Sequence, residues 1–495
     1  MRRLRARSSG LYARAYLLVY LIVQLLPETA RQHCYIVTSF GSLCMSQHES
    51  SSPRVEVPSK PPTSVRLWVV IGLALASTCA YLTRNSLGTV NTTIQGELHL
   101  DPIIMGQVMS AFFAGYFWFQ VPGGMMANRW GTRRVLPLLC LAWSACGAWT
   151  GIATSADSLK ISRFISGIAQ AGLVPCSAKA VRDWVPPAQT GLASSAVAGS
   201  MTLGGVIAAG LTAQLMPQLG WRGVFFLYSA LGVLWALMFY ALFRNRPEEH
   251  PRVNEAELQL IRGGVAPKPV DAVIEEKDKP LRVLAAMAIS TTLWLLCLQA
   301  FCRAFGAVFF STWFPAYLEQ GRGVSVVTAG SLSMWPQVGI LLGNLLGGVL
   351  VDRILVRSRS KWVSRCATSA LALVLCAGAL LAATAIPDAR AAVWVIALGC
   401  VCFGCGSPAG WAAQMDVSGK HTATVFAIAN MAGNFGAWVC PILLGQTIHS
   451  IKLGHTSWSM LLYIIAGIYL LGAIFWVLIN PHKSAVGQDA VPAPA

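Results

Sequence analysis

The chain has 495 residues, 55% of them hydrophobic and only 12% charged, with a formal net charge of +17. Soluble domains carry about 25% charged residues, so this composition excludes a soluble enzyme, a nucleic-acid-binding module and a disordered scaffold. The positive charge is not a binding stripe: eight Lys and Arg fall in the first 64 residues, and most others lie in short intervals between apolar runs, which is how a membrane orientation signal is distributed.

Residues 1–65 read as an N-terminal tail. The apolar run at 15–26 is shorter than the ~20 residues a span needs. It follows an Arg-rich start, as in a signal-peptide h-region, but no small-x-small cleavage site comes after it. The favoured reading makes Met45 the true start and residues 1–44 an over-read; the alternative is a signal-like or amphipathic extension. Twelve spans then follow at 66–94, 104–126, 134–153, 158–181, 191–214, 222–243, 288–318, 327–350, 364–386, 391–413, 422–446 and 457–480. The polar, Pro-rich interval 244–287 reads as a cytoplasmic linker and 481–495 as a C-terminal tail. The expected fold is an all-α membrane protein of twelve transmembrane helices in two six-helix halves, 66–243 and 288–480.

Orientation follows from charge. The loops after even-numbered spans and the central interval hold eighteen Lys and Arg, against five in the loops after odd-numbered spans. Positive charge collects inside, so both termini are expected in the cytoplasm and the protein in the cytoplasmic membrane. One loop recurs: Gly123-Gly124-x-x-x-Asn128-Arg129 after the second span matches Gly347-Gly348-x-x-x-Asp352-Arg353 after the eighth. Gly124, Asn128, Arg129, Asp352 and Arg353 are therefore assigned to a gating loop present once per half, as in carriers built from parallel repeats with a site between the halves.

Inside a span, an Arg costs ~2.5–3.5 kcal/mol on insertion scales. Three lie there: Arg84, Arg163 and Arg303, none with a carboxylate one turn away. An anionic ligand explains their retention, because a guanidinium grips a carboxylate with a two-point fork. Snorkelling to the interface is the bland alternative. It is strongest for Arg163, only about five residues into its span. Tyr81 shares a face with Arg84, and Asn430 shares one with Asn434. With Tyr116 and Trp411 they are candidate substrate contacts, or else glue between helices. Gln120 and Gln414 are further polar groups of the same kind. No Asp, Glu or His lies at mid-span, where proton relays are built. Asp352 reads as a partner for the basic groups of its loop, and Lys179 and Arg182 as interface anchors. Cys402 and Cys405 form a C-x-x-C without a second pair or nearby His, so packing is the reading and no metal or other cofactor is expected.

The ordered motifs resemble the major facilitator superfamily, and within it the anion:cation symporter family. That family includes bacterial hexuronate and galactonate transporters and animal sialic acid, phosphate and vesicular glutamate carriers. The likeness runs from about 66 to 480. It rests on Tyr81-Leu-Thr-Arg84-Asn-Ser-Leu, Gly115-Tyr116, Gln120-Val-Pro-Gly-Gly124, Asn128-Arg129-Trp-Gly131, Arg163-Phe-Ile-Ser-Gly167, Ala171-Gly172 with Pro175, Gly220-Trp-Arg222, Arg246-Pro-Glu-Glu-His-Pro251, Trp313-Phe-Pro-Ala-Tyr317 and His421-Thr-Ala-Thr-Val-Phe426. Arg84 and Arg163 match the family's arginines, and Phe301-Cys-Arg303 resembles a segment of the vesicular glutamate carriers. Bacterial sugar-acid symporters carry Asp before the first Arg and Glu seven residues after the second. Here those coupling positions are Thr83 and Gln170, which cannot titrate, and Asn128 replaces the usual Asp.

The resemblance implies a secondary transporter of a small organic anion, such as a hexuronate or galactonate, using alternating access without covalent chemistry. It is expected to work as a monomer in the bilayer. An uncoupled monoanion entering a negative cell meets ~2.3 kcal/mol per 100 mV. With proton coupling in doubt, a co-transported cation, anion exchange or export must offset that. A non-transporting sensor on the same fold is the alternative from another class. A membrane enzyme lacks a His/Asp/Glu constellation in the spans.

Overall fold

The structure is a computed structural model that describes residues 61–262, 290–418 and 422–481. The proposed start at Met45, the apolar run at 15–26, the linker beyond 262, the opening of the seventh span, Lys420, His421 and the tail after 481 lie outside the described residues.

Every regular element described is helical: α1 Val65–Thr89, α2 Pro102–Trp130, α3 Thr132–Ile152, α4 Ala156–Trp184, α5 Thr190–Leu242, α6 Thr291–Thr312, α7 Val326–Ser358, α8 Val363–Thr384, α9 Ala389–Ser418, α10 Thr422–Lys452 and α11 Ser459–Leu478. The starts are chemically marked. Asp101 accepts from the Ile103 N–H with Pro102 at the first helical position, and Ser155, Ser290 and Ser325 cap α4, α6 and α7. Eleven helices among the described residues are long and apolar enough to cross a membrane. At 1.5 Å per residue, α5 with its 53 residues reaches about 80 Å, far more than a ~30 Å hydrocarbon core. It breaks at Gly220, whose φ of 64° suits only glycine. Its two arms are the expected fifth and sixth spans, and the result is consistent with twelve crossings. The expected loop at 215–221 is replaced by this one-residue break.

Other limits shift for local reasons. The first span stops at Thr89, and a short helix Asn91–Glu97 follows. Gly172 divides α4 into Ala156–Ala171 and Leu173–Trp184. The seventh span continues past Thr312 through a π turn at Tyr317–Gly321.

Helices α1–α5 pack on one another, and α6–α11 do likewise. The main contacts between these bundles are α2 with α10 and the first arm of α5 with α7. The close approaches cluster at the end away from the 243–262 segment, called the far side below. A Cβ on Gly106 would sit 2.5 Å from the Pro441 carbonyl oxygen, and one on Gly445 2.6 Å from that of Pro102. Asn91 donates to the Thr312 carbonyl at 2.8 Å, Thr92 to Glu319 at 2.6 Å, and His449 pairs with Asp101 at 2.7 Å. On the opposite, linker side Met125, Leu192, Leu345 and Met415 are exposed. The bundles are thus joined at the far side.

The linker's first turn of structure is anchored. Glu257, fully buried in the short helix Glu255–Arg262, accepts from Thr63 Oγ1, from the Val65 and Arg66 N–H groups at 3.3 and 3.1 Å, and from the Arg66 guanidinium at 3.0 Å. It satisfies the orphan donors at the N-terminus of α1. Of the glycines in the first arm of α5, Gly204 lies against Thr78 and Gly210 against Met334, whereas Gly199 faces open space and packs nothing.

Candidate functional site

The site begins where α2 crosses α4. A Cβ on Gly115 would collide with the Phe164 carbonyl, and one on Gly167 with that of Phe112. Only glycines permit this approach, which lays the Phe112 ring beside Arg163. The Arg163 guanidinium stands 5.0 Å from that ring's centroid and Arg84, from α1, 4.7 Å from it. Arg84 also faces Tyr81 at 5.0 Å, Phe113 at 4.8 Å and Tyr116 at 5.5 Å. Cation–π attraction holds such a cation without neutralising it.

Arg163 is 5% exposed. It donates to the carbonyls of Thr83 at 3.4 Å and Arg84 at 3.0 Å, while its Nε has no partner among the described residues. The snorkelling alternative fails for it. The helix starts at Ala156, and α1 and α2 cover the side chain, so counting residues from the span start understated its depth. A small cavity is lined by Arg84, Asn85, Met109, Phe113, Arg163 and Thr312, among others. Its walls come from both bundles.

Thr83 and Gln170 meet: Gln170 Nε2 donates to Thr83 Oγ1 at 3.4 Å. Thr83 in turn donates to the Ala80 carbonyl at 2.9 Å. The two positions that the family likeness assigned to coupling are therefore one contact, next to the Thr83 carbonyl that Arg163 holds.

Arg303 is placed differently. It lies 3.9 Å from the Phe403 ring centroid on α9, donates to the Phe403 carbonyl at 3.1 Å and bonds Ser407 Oγ. No contact joins it to Arg84 or Arg163. Among the described residues, no carboxylate forms an ion pair with any of the three arginines.

The remaining candidates divide. Tyr81 and Tyr116 sit with Arg84. Asn434 bridges the bundles, donating to Gln120 Oε1 at 3.4 Å as well as to the Asn430 carbonyl. Asn430 is exposed, and Trp411 is 61% exposed with its ring against Phe426; neither touches an arginine. In the repeated loop Gly124 packs on Pro175, while Asn128, Arg129, Asp352 and Arg353 are exposed at the linker-side ends of α2 and α7. Among the described residues Asp416, not Asp352, takes the basic partners there, Lys361 at 3.4 Å and Arg365 at 3.3 Å. Lys179 and Arg182 both pair with Asp183. Cys402 and Cys405 are free thiols, and no metal-binding cluster occurs among the described residues. Sequence reasoning missed Phe112, Phe113, Asn85 and Ser407. Asn85 follows Arg84 directly and could have been noticed; the two Phe are indistinguishable from ordinary packing.

The sequence profile of the Major Facilitator Superfamily matches residues 73–441, with a second match over 296–494. A protein of Cupriavidus necator named "Probable sulfoacetate transporter" is 30% identical over 83% of this chain and 93% of its own length. "Probable galactarate/D-glucarate transporter" of Bacillus subtilis is 30% identical over 87% and 95%. Among solved structures, an inward-facing bacterial homologue of the human lysosomal transporter Spinster superposes with a TM-score of 0.69 at 20% identity, covering 85% of this chain and 98% of that one. The chain belongs to the major facilitator superfamily. It is a multi-pass membrane transporter and not an enzyme, its relatives fit the likeness to the anion:cation symporters, and their names give the sensor alternative no support.

Proposed function

We propose that the chain carries a small organic anion, a sugar acid or a comparable carboxylate, and binds it at Arg84 and Arg163. The observation that carries this is a pair of guanidiniums at a cavity between the bundles with no carboxylate partner among the described residues. The burial cost of such cations is offset when an anion arrives. Relatives named for sulfoacetate and galactarate/D-glucarate support the same ligand chemistry. Arg303 is a second cationic pole in the other bundle. Tyr81 and Tyr116 wall the first pole, while Asn434 holds the bundles together through Gln120. Asn430 and Trp411 are exposed and available to a passing ligand.

The halves 66–243 and 288–480 rock about the far-side contacts, and the exposed loops at Asn128–Arg129 and Asp352–Arg353 meet when the linker side closes. The excess of Lys and Arg on that side supports a cytoplasmic placement with both termini inside. With Thr83 and Gln170 unable to titrate, coupling runs through a cation other than a proton or through anion exchange. The protein works as a monomer.

Ligand-induced thermal stabilisation tests the assignment, since a ligand at 100 times Kd stabilises by about 2.7 kcal/mol. Galactarate and sulfoacetate are expected to raise the melting temperature of purified protein, galactitol (the uncharged analogue) to leave it unchanged, and Arg84→Gln to abolish the anion effect. An equal shift with galactitol, or no shift with any acid of a broad panel, overturns it.

A further inference from the structure

Two amides stand beside the arginine cavity without a protein partner. Asn85 lines the cavity from α1. Gln337 comes up to Asn85 from α7, in the opposite bundle, and is only 8% exposed. Both face Gly205 on the first arm of α5. A Cβ there would collide with Gln337 Oε1 and sit 2.7 Å from Asn85 Nδ2. The glycine keeps open the space in which the two amides face each other. Neither side chain forms a hydrogen bond among the described residues. An amide taken out of water with no protein partner forfeits its hydrogen bonds, so Gln337, at 8% exposure, keeps bonding capacity for a group that enters beside it.

Their chemistry says which partner. A carboxylate only accepts, and the arginines already supply donors for it. An amide offers both a carbonyl acceptor and an NH2 donor. Its complement is a group that also does both, a hydroxyl. We propose that Asn85 and Gln337 read the hydroxyl groups of the transported acid, so that the carrier prefers a hydroxylated anion over its plain counterpart. Because the amides come from opposite bundles, the hydroxyl that joins them also ties the bundles across the ligand. The inference rests on the organic-anion reading of the cavity and deepens it.

Galactarate and adipate share a six-carbon diacid backbone and differ by four hydroxyls, so they isolate this contact. Labelled galactarate uptake into proteoliposomes gives its KM, and competition gives the inhibition constant of adipate. Wild type is expected to favour galactarate. Gln337→Leu removes one hydrogen-bonding partner at similar volume and is expected to lower that preference about three- to tenfold, the usual worth of one hydrogen bond. Asn85→Ala is a second variant on the other bundle, with the same expected direction if Gln337→Leu does not fold. A structural role would weaken both acids equally and leave the ratio unchanged, which overturns the inference. Equal affinity for both acids in wild type also overturns it while sparing the anion site. Failure of wild type to take up or bind any acid overturns the anion reading and this inference with it.

Discussion

Replacing Arg163 separates a ligand-binding arginine from a structural one. In Arg163→Gln the bonds to the Thr83 and Arg84 carbonyls, 3.4 and 3.0 Å long, are lost. Hydrogen bonds from a charged donor are worth ~1.5–3 kcal/mol each, with the longer one at the low end. The contact with Phe112 adds ~1 kcal/mol. Against this, removing an intramembrane cation relieves ~2.5–3.5 kcal/mol. The opposing terms leave a net destabilisation of about 0.5–3 kcal/mol. Ligand affinity has no such offset. Truncating one partner of a buried charged pair costs ~2–5 kcal/mol, which is about 30- to 4,000-fold in KM at 1.4 kcal/mol per decade. Thermal unfolding in detergent and initial-rate uptake measure the two effects on the same preparation. A large loss of thermal stability combined with an unchanged KM in the folded fraction refutes the reasoning and returns Arg163 to a packing role.

Three further outcomes follow from particular contacts. The variant Thr83→Asp with Gln170→Glu puts two carboxyls at positions now joined by one hydrogen bond, beside Arg163; uptake is expected to become pH-dependent, and identical wild-type and variant pH profiles count against the coupling role of these positions. Glu257→Ala strands the Arg66 guanidinium and the first N–H groups of α1, so it is expected to lower stability by about 3–5 kcal/mol, with partial recovery in Glu257→Gln; an unchanged melting temperature contradicts the anchor. At the far side, the Trp221 indole N–H and, behind it, Arg222 hold the Glu97 carboxyl below the usual carboxylate range. A lowered folded value stabilises above the ordinary range and is lost as pH falls through the folded one, so the acid limb of a stability-against-pH curve should flatten in Glu97→Gln, and a curve superimposable on wild type rules the contact out.

Much of the architecture was legible because the bilayer leaves few options. Apolar runs of span length must be helices, and the cost of an intramembrane cation singled out Arg84, Arg163 and Arg303 together. Gly115 and Gly167 were visible only as part of a family likeness; that they bring two backbones together at Phe112 emerges in three dimensions. Position along a helix gives depth but not azimuth. That is why Arg303 was expected with the other arginines and instead turns to Phe403 and Ser407 on α9. The same gap hid the meeting of Thr83 with Gln170, Asp416 as the acceptor for Lys361 and Arg365, and Gln337 as an unpaired amide. The break at Gly220 was read as a loop over 215–221 because Pro217, Gln218 and Gly220 interrupt the apolar run there, although the helix gives way only at Gly220.

Uptake of radiolabelled galactarate by proteoliposomes tests the central claim most directly, with wild type, Arg84→Gln and Arg163→Gln compared in parallel, with and without an imposed pH gradient. Saturable uptake by wild type, insensitive to the gradient and lost in both variants, is the expected result. Wild-type uptake that both arginine variants retain, with KM unchanged, would contradict an anion site built on Arg84 and Arg163.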